Sequence, residues 1–317
     1  MPRLKTTLRL FAALCALSCA ALAQTPAKAP ASSSAKPPAA EVSSTAGVDD
    51  LSRGVIPYTK GFNAALTVSS QHDSASGWSN IIIPNVAYRY NSHFSAEIST
   101  PLYTYFQANT NVGTTNAPRF ALKEQGPLWG DTTLSFHYDV AAHNLMLYSS
   151  TVSIGFDTGD TKYGLSAAQT TYDFNNRFEL NIPFSPYIEL GVGDASSLVN
   201  QRILRDIITV GPLAHFQLGT TIDLPRDLSF TAGAFEQLPI GDQKLYDTVI
   251  RNKRTVTFVV GRGVAEDNGF ISSLDIPLDR HVTLTGFYTR SLRQHDDTAG
   301  FAFTFLLRAL PKLNVAR

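Results

Sequence analysis

Residues 131–140 read DTTLSFHYDV, and their side chains alternate between two kinds. One set of alternate positions is mainly apolar and comprises Thr132, Leu134, Phe136, Tyr138 and Val140. The positions between them are polar, and they are Thr133, Ser135, His137 and Asp139. Because successive side chains of a β-strand point to opposite faces, this stretch predicts a strand with one apolar and one polar face.

The same period of two continues through most of the chain, with clear examples at 61–69, 177–184, 282–289 and 301–307. The expected strands are about 10 to 13 residues long, close to the length that crosses a bilayer. Their polar face is rich in Ser, Thr, Asn and Gly, whereas the outer face of a soluble sheet is usually rich in Lys and Glu. The pattern therefore favours an all-β, transmembrane, antiparallel up-and-down β-barrel over a secreted β-sandwich.

We expect about twelve strands, at 60–71, 80–90, 93–105, 130–141, 144–157, 173–183, 186–193, 206–222, 226–238, 268–277, 281–292 and 298–309. An even number closes a barrel without an open edge and leaves both termini in the periplasm. Residues 255–261 also alternate, and we expect them to extend a long extracellular loop. Pro84 cannot donate a hydrogen bond to a sheet, so a bulge or a strand end is expected there.

The connections between these strands alternate in length. Tight turns alternate with long polar segments, which lie at about 107–129, 157–173, 193–206 and 239–266. Short turns on one side and long loops on the other are typical of outer-membrane barrels. Aromatic residues near the strand ends are expected to form an interfacial girdle; they are Tyr88, Tyr90, Phe94, Tyr103, Tyr138, Tyr148, Tyr187 and Tyr288.

Composition excludes several other classes of protein. The chain has 317 residues, of which 16% are charged, and its formal net charge is zero. In soluble domains about a quarter of the residues are usually charged, so this chain is poor in charged residues. Beyond the N-terminal segment, no apolar run reaches the roughly 18 residues of a membrane-spanning helix. A neutral chain also has no electrostatic footprint for a nucleic-acid partner.

The N-terminus reads as an export signal. A basic start is followed by the apolar stretch 10–22 and a small-residue cleavage site, which predicts a signal peptide at 1–23. Both Cys15 and Cys19 lie inside it, and lipidation at Cys19 is the competing interpretation. Residues 24–55 are mainly Ala, Pro, Ser and Lys, which predicts a disordered linker. The barrel domain is then expected at 56–317, in the bacterial outer membrane.

Charged residues on the expected inner face are candidates for lining the lumen: Arg89, Glu97, His137, Asp139, Arg177, Glu179, Glu189, His215, Asp275 and Arg290. They could line a water-filled pore or form a packed network of ion pairs, centred on Arg177, Glu179 and Glu189. Asp157 and Asp160 are interpreted as turn residues, with a calcium site as the weaker alternative.

Three short patches resemble a known family. They are Gly130–Leu134, Gly155–Asp160 and Pro186–Asp194, with Trp129 and Asp157 as departures from the family pattern. In these patches the chain resembles the outer-membrane transporters named for the phenol meta-cleavage pathway. The resemblance covers most of 60–310, and it implies a barrel that passes hydrophobic compounds.

These observations together predict a porin-like or transporter-like conduit for small solutes, among them hydrophobic or aromatic ones, without a cofactor. Expected partners are membrane lipid, lipopolysaccharide, the solutes and the barrel-assembly machinery, and no nucleic acid. One alternative is a lipid-modifying barrel enzyme, because His72 and Ser74 would share a strand face as an imidazole and a hydroxyl. Another is a plugged barrel with a structural or adhesive role.

Overall fold

The structure, a computed structural model, describes residues 60–74, 77–91, 93–111, 120–142, 145–160, 165–167, 169–182, 184–194, 207–247, 256–260, 266–293 and 295–307. The predicted signal peptide and linker, including Cys19, lie outside these residues. In the part of the chain that the structure describes, no helix has the length and apolar character needed to cross a bilayer.

The described residues form strands β1 (Gly61–Asp73), β2 (Gly77–Arg89), β3 (Phe94–Ser99), β4 (Leu102–Asn111), β5 (Phe120–Gln125), β6 (Leu128–Trp129), β7 (Thr132–Ala142), β8 (Met146–Phe156), β9 (Thr171–Leu180), β10 (Pro186–Gly193), β11 (Ile207–Val210), β12 (Leu213–Leu224), β13 (Leu228–Pro239), β14 (Gln243–Asp247), β15 (Val256–Val260), β16 (Asp267–Pro277), β17 (Val282–Ser291) and β18 (Asp297–Leu306). A 3₁₀ turn at Pro225–Asp227 joins β12 to β13.

Twelve strands close into one antiparallel ring, which confirms the predicted β-barrel. The ring order is β1, β2, β3, β7, β8, β9, β10, β12, β13, β16, β17 and β18. The last strand pairs with the first, and Val68 of β1 lies opposite Phe303 of β18. Closure leaves no strand of this ring with an unpaired edge, which a barrel in a bilayer requires.

The ring strands β3 and β7 are extended at one end by further strands. The C-terminal half of β2 pairs with β3, whereas its N-terminal half pairs with β4, which continues β3. β4 in turn pairs with β5 and β6, which lead into β7. A register shift lies at Asn80/Ile81, and β2 changes partner across Pro84, where no backbone donor is available. The irregularity expected at Pro84 thus affects the strands that pair with β2, while β2 itself continues through Pro84.

A separate sheet lies outside the ring. It consists of β11, β14 and β15, in that order. β15 covers most of the stretch 255–261, which the sequence places in a loop and not in the barrel wall. The prediction of twelve ring strands instead of thirteen is therefore confirmed.

The two ends of the ring differ. We call the end with the connections 90–93, 143–145, 181–185, 225–227 and 278–281 the short-turn end, and the opposite one the long-loop end. The outer face is apolar, and near the short-turn end its aromatic rings contact one another in pairs: Phe62–Tyr88 at 4.8 Å, Phe94–Tyr138 at 4.7 Å and Tyr148–Phe178 at 4.9 Å. This arrangement is typical of an interfacial girdle.

Two of the aromatic residues expected in the girdle lie on the inner face instead. Tyr187 is 2% exposed, and Tyr103 packs against the buried Phe106. Tyr187 shares its face with Glu189, because both occupy alternate positions of β10. Their closeness to strand ends in the sequence did not reveal which face they occupy.

Candidate functional site: the barrel lumen

The lumen is lined by the alternate positions that are buried along each ring strand. The structure places nearly all of the predicted lumen residues there: Arg89, Glu97, His137, Asp139, Arg177, Glu179, Glu189, His215 and Asp275. Sequence reasoning missed further inward carboxylates, namely Asp73, Asp173 and Asp267, each of which is buried. Their position in the alternating pattern would have identified Asp173, because it has the same parity as Arg177 on β9.

The prediction that Arg290 lines the lumen is wrong, because Arg290 lies on the outer face. The buried inward residues of β17 are Thr285, Phe287, Thr289 and Ser291, and Arg290 has the opposite parity. Its guanidinium forms an ion pair with Asp297, the residue opposite it on β18. The pair lies near the long-loop end, where the outer face leaves the hydrocarbon and a charge is tolerated.

Arg177 forms the centre of one inner network. Its Nη2 lies 2.9 Å from Oε2 of Glu179, and its Nη1 lies 3.8 Å from Oε2 of Glu189. The guanidinium carbon is 3.8 Å from the ring centre of Tyr187, so the cation also contacts an aromatic face. Asn175 donates a hydrogen bond to Glu189, whose side chain is fully buried. A buried charge is stable only with such partners.

A second contact on the same wall joins Asp173 and His215. The Nε2 atom of His215 lies 2.7 Å from Oδ1 of Asp173, and both side chains are buried. The ring of His215 lies over Gly191, where a Cβ atom would overlap it. A Cβ atom at Gly193 would lie 2.6 Å from Oδ1 of Asp173. The two glycines therefore provide the space in which this pair lies flat against the wall.

Glu97 lies within a third set of contacts, on the neighbouring strands β2, β3, β7 and β8. Asn85 donates a hydrogen bond to Oε1 of Glu97, and Nε2 of His137 lies 3.8 Å from its Oε2. The other ring nitrogen of His137 is 3.1 Å from Oγ1 of Thr151. Both carboxylate oxygens of Glu97 thus face polar groups inside the barrel.

The inner wall has a packed region and an open region. The packed region, most of it in the long-loop half, contains inward side chains that are at most 2% exposed, among them Gln71, Ser79, Tyr187, His215, Gln217, Gln237 and Asp267. The open region consists of inward side chains in the short-turn half that keep partial or full exposure: Asp139, Thr221, Asp223, Thr231 and Asp275. Inward side chains are therefore covered at one level of the lumen and solvated at another.

Part of the connection between β8 and β9 folds against the inner wall. Leu165 is buried beside Phe106, and Tyr103 and Leu128 pack around them. The Asp131 carboxylate fixes this segment, because it accepts hydrogen bonds from three backbone N–H groups: those of Thr158 at 3.1 Å, Gly159 at 2.9 Å and Ala167 at 2.7 Å. Asp131 was not predicted as a site residue, although it stands in the quoted Gly130–Leu134 patch.

Asp157 and Asp160 belong to the same connection. Asp157 accepts a hydrogen bond of 2.6 Å from the hydroxyl of Ser166, and the backbone N–H of Asp160 donates to Trp129 at 3.0 Å. Within the described ranges, no three His, Cys, Asp or Glu side chains converge as a metal site would require. These contacts fit the turn interpretation.

His72 and Ser74, the candidates for an enzyme, make separate contacts. The ring of His72 lies on the outer face, 5.1 Å from the ring of Trp78. The Ser74 hydroxyl accepts a hydrogen bond of 2.9 Å from the backbone N–H of Asp297 and lies 3.5 Å from Asp296. Among the described residues, no hydrogen bond joins the imidazole to this hydroxyl, although a serine nucleophile needs one.

Comparisons with known proteins agree with the barrel. No family model and no curated protein matches the chain. An outer membrane channel from Pseudomonas putida F1 has a similar structure, with a TM-score of 0.51 and 12% identity over 80% of this chain and 98% of that one. The NanC porin gives a TM-score of 0.46 at 10% identity, covering 76% of this chain and 98% of its own. The Ralstonia pickettii toluene transporter TbuX gives a TM-score of 0.40 at 9% identity, covering 78% of this chain and 89% of its own.

Proposed function

We propose that the chain is an outer-membrane barrel that acts as a conduit for small solutes. The observation that supports this proposal is the contrast between the two faces of the closed ring. The outer face presents apolar side chains such as Phe62, Phe216 and Phe301, whereas the inner face carries ionised and hydrogen-bonding groups. A polar interior behind an apolar wall lets polar molecules cross a bilayer.

The proposal includes hydrophobic and aromatic solutes. Tyr103, Phe106 and Leu128 form an apolar patch on the inner wall, beside the inward-folded Leu165. Tyr103 and Leu128 keep partial exposure, so an apolar molecule on its way through an otherwise polar lumen would contact them. We also propose export by the signal peptide at 1–23, insertion by the barrel-assembly machinery, and contact of the outer face with lipid and lipopolysaccharide.

Planar-bilayer conductance and liposome swelling test the conduit. We expect the purified, folded protein to give stepwise currents and to let small solutes equilibrate across liposomes. Folding is checked by the change of gel mobility on heating, and protein-free liposomes serve as the control. A folded barrel with neither current nor solute flux would contradict the proposal.

A plugged barrel is the second candidate, because the packed region contains fully buried groups and Leu165 folds inward. The same measurements separate the two. A conduit gives currents without any mutation, whereas a plugged barrel gives none until the contacts of Asp131 are removed.

A further inference from the structure

Four carboxylates lie on alternate strands in the short-turn half of the lumen. Asp139, Glu179, Asp223 and Asp275 occupy inward positions on β7, β9, β12 and β16, each close to the strand end at the short-turn side. In the ring order, these four strands alternate with β8, β10 and β13. We call this set the carboxylate ring. The carboxylates therefore lie along an arc of the wall and not at a single point.

The hydrogen-bond donors of the carboxylate ring are mainly neutral. Asp139 accepts a bond of 2.6 Å from the hydroxyl of Ser149, and Asp275 accepts one of 2.5 Å from Thr285. Hydroxyl donors leave the negative charge in place, unlike an ion pair. All four members belong to the less buried part of the wall, so mobile ions can reach them.

Inward cations are few in the described strands. Arg177 already contacts both Glu179 and Glu189, and the other inward guanidinium is Arg89, on β2. The adjoining turns add no net charge, since Arg226 stands beside Asp227 and Arg280 beside Asp279. The carboxylates therefore exceed the guanidinium groups along this part of the lumen.

Two deeper carboxylates extend the same sign of charge towards the long-loop end. Asp267 is fully buried, with Oδ1 accepting a bond of 2.5 Å from Ser291. Its Oδ2 has no hydrogen-bond partner among the described residues. Asp173 is 6% exposed, and its Oδ2 likewise has none there. A buried carboxylate oxygen without a donor is a site that a cation can satisfy.

We propose that the lumen selects for cations, with the carboxylate ring as its selectivity element. This inference rests on the proposed conduit. Asp and Glu rings confer cation selectivity on membrane pores, and a lumen with low-dielectric walls concentrates counter-ions near such charges. The solute class is then inorganic cations and small organic cations, while small anions are disfavoured.

The experiment is the reversal potential of the full-length protein in planar bilayers under a gradient of potassium chloride. We expect a permeability ratio of K⁺ over Cl⁻ on the order of 10 at low salt, which decreases as salt screens the carboxylates. A variant with Asp139→Asn, Glu179→Gln, Asp223→Asn and Asp275→Asn removes the charges but keeps the side-chain sizes. Its ratio should fall to about 1.

The matched control is Glu236→Gln, which removes one carboxylate from the outer face, where Glu236 contacts Arg293. It should leave the ratio unchanged. If the fourfold variant does not fold, Asp223→Asn alone, at an exposed position, should still lower the ratio measurably.

The outcomes separate the two proposals. Currents with a ratio near unity or in favour of Cl⁻ overturn cation selectivity and leave the conduit intact. Currents that favour K⁺ equally in the wild type and the fourfold variant overturn the role of the carboxylate ring. The absence of any current from the folded protein overturns both the selectivity and the conduit.

Discussion

The packed and open regions of the lumen are built from the same strands but differ in how their inward side chains are accommodated. On β12, His215 and Gln217 are buried, whereas Asp223 is exposed, a few residues further along the same face. In the packed region, large side chains lie over inward glycines of neighbouring strands. The hydroxyl of Tyr187, for example, lies where a Cβ atom at Gly219 would be 2.5 Å away.

This difference shows that alternation determines which face a residue occupies, while the size of its neighbours determines whether it is solvated. Glycines allow a long polar side chain to lie along the wall, where other side chains cover it. Where the neighbours are Ser and Thr, as around Thr221 and Thr231, the wall stays accessible. The packed region is suited to holding the barrel rigid and the open region to contact with solutes.

The largest expected effect comes from filling a glycine position of the packed region. Gly269→Ala would place a Cβ atom on the backbone carbonyl oxygen of Arg290 and 3.0 Å from the ring of Phe235. Because a backbone atom cannot move away cheaply, we expect the free energy of unfolding to fall by about 3 kcal/mol. Urea unfolding in lipid vesicles, followed by tryptophan fluorescence, measures the change.

Gly286→Ala is the matched control for this substitution. Gly286 belongs to the outer face of β17, and a Cβ atom there meets no atom within 4 Å. Its effect should stay within roughly 0.5 kcal/mol. Equal stabilities of the two variants would show that the packed region does not depend on its glycines.

A smaller effect is expected from Asp131, which holds the connection between β8 and β9 near the packed region. Asp131→Ala leaves the N–H groups of Thr158, Gly159 and Ala167 without their acceptor. We expect the local stability of this segment to fall by about 2 kcal/mol, which raises the population of its open form on the order of 30-fold. Limited proteolysis between β8 and β9 reports that population as a faster cleavage rate.

Asp131→Asn should give an intermediate rate, because its amide oxygen can still accept hydrogen bonds. Cleavage of Asp131→Ala at the wild-type rate would mean that Leu165 alone holds the segment.

The smallest effect is expected from removing one hydroxyl group in each region. Tyr187→Phe keeps the ring beneath Arg177 but removes the hydroxyl that accepts a hydrogen bond from Gln217. The free energy of unfolding should fall by about 1 kcal/mol, because the Gln217 amide then stays buried without that partner. Thr221→Val, in the open region, removes a hydroxyl contact of 3.2 Å with Thr231.

Water can replace that contact, so Thr221→Val should cost less than about 0.5 kcal/mol. Chemical unfolding under identical conditions compares the two variants. Equal losses would contradict a solvated open region.

Most of the fold could be predicted from the sequence, because apolar and polar residues alternate along every strand of a barrel wall. This pattern continues over the full strand length, so the ring strands follow from alternation. The place of β15 outside the ring follows from the even number of strands that a closed barrel favours. Asp267–Gly269 is the opposite case, since Asp-Asn-Gly favours a turn by local propensity. In the structure these residues begin β16, paired with β13 and β17, and tertiary pairing overrides the propensity.

The lumen could be predicted only in part. Charge suggested that Arg290 faces inward, yet it has the same parity as Leu284 and Tyr288 and pairs with Asp297 outside. The burial of Asp267 and the three backbone contacts of Asp131 depend on residues far away in the chain. A pattern of period two carries no information about such contacts, nor about which inward side chains a neighbouring glycine leaves room to bury.

The pairing of β1 with β18 determines when the barrel can be completed. Gln71 lies opposite Gly300, so β1 finds one of its two neighbours only in β18, the ring strand farthest from it along the chain. Until β18 pairs with β1, the partly assembled sheet has two unsatisfied edges, however many hairpins have already formed. Completion is therefore a late, all-or-nothing event, and a chain that ends before residue 297 should remain open along this seam.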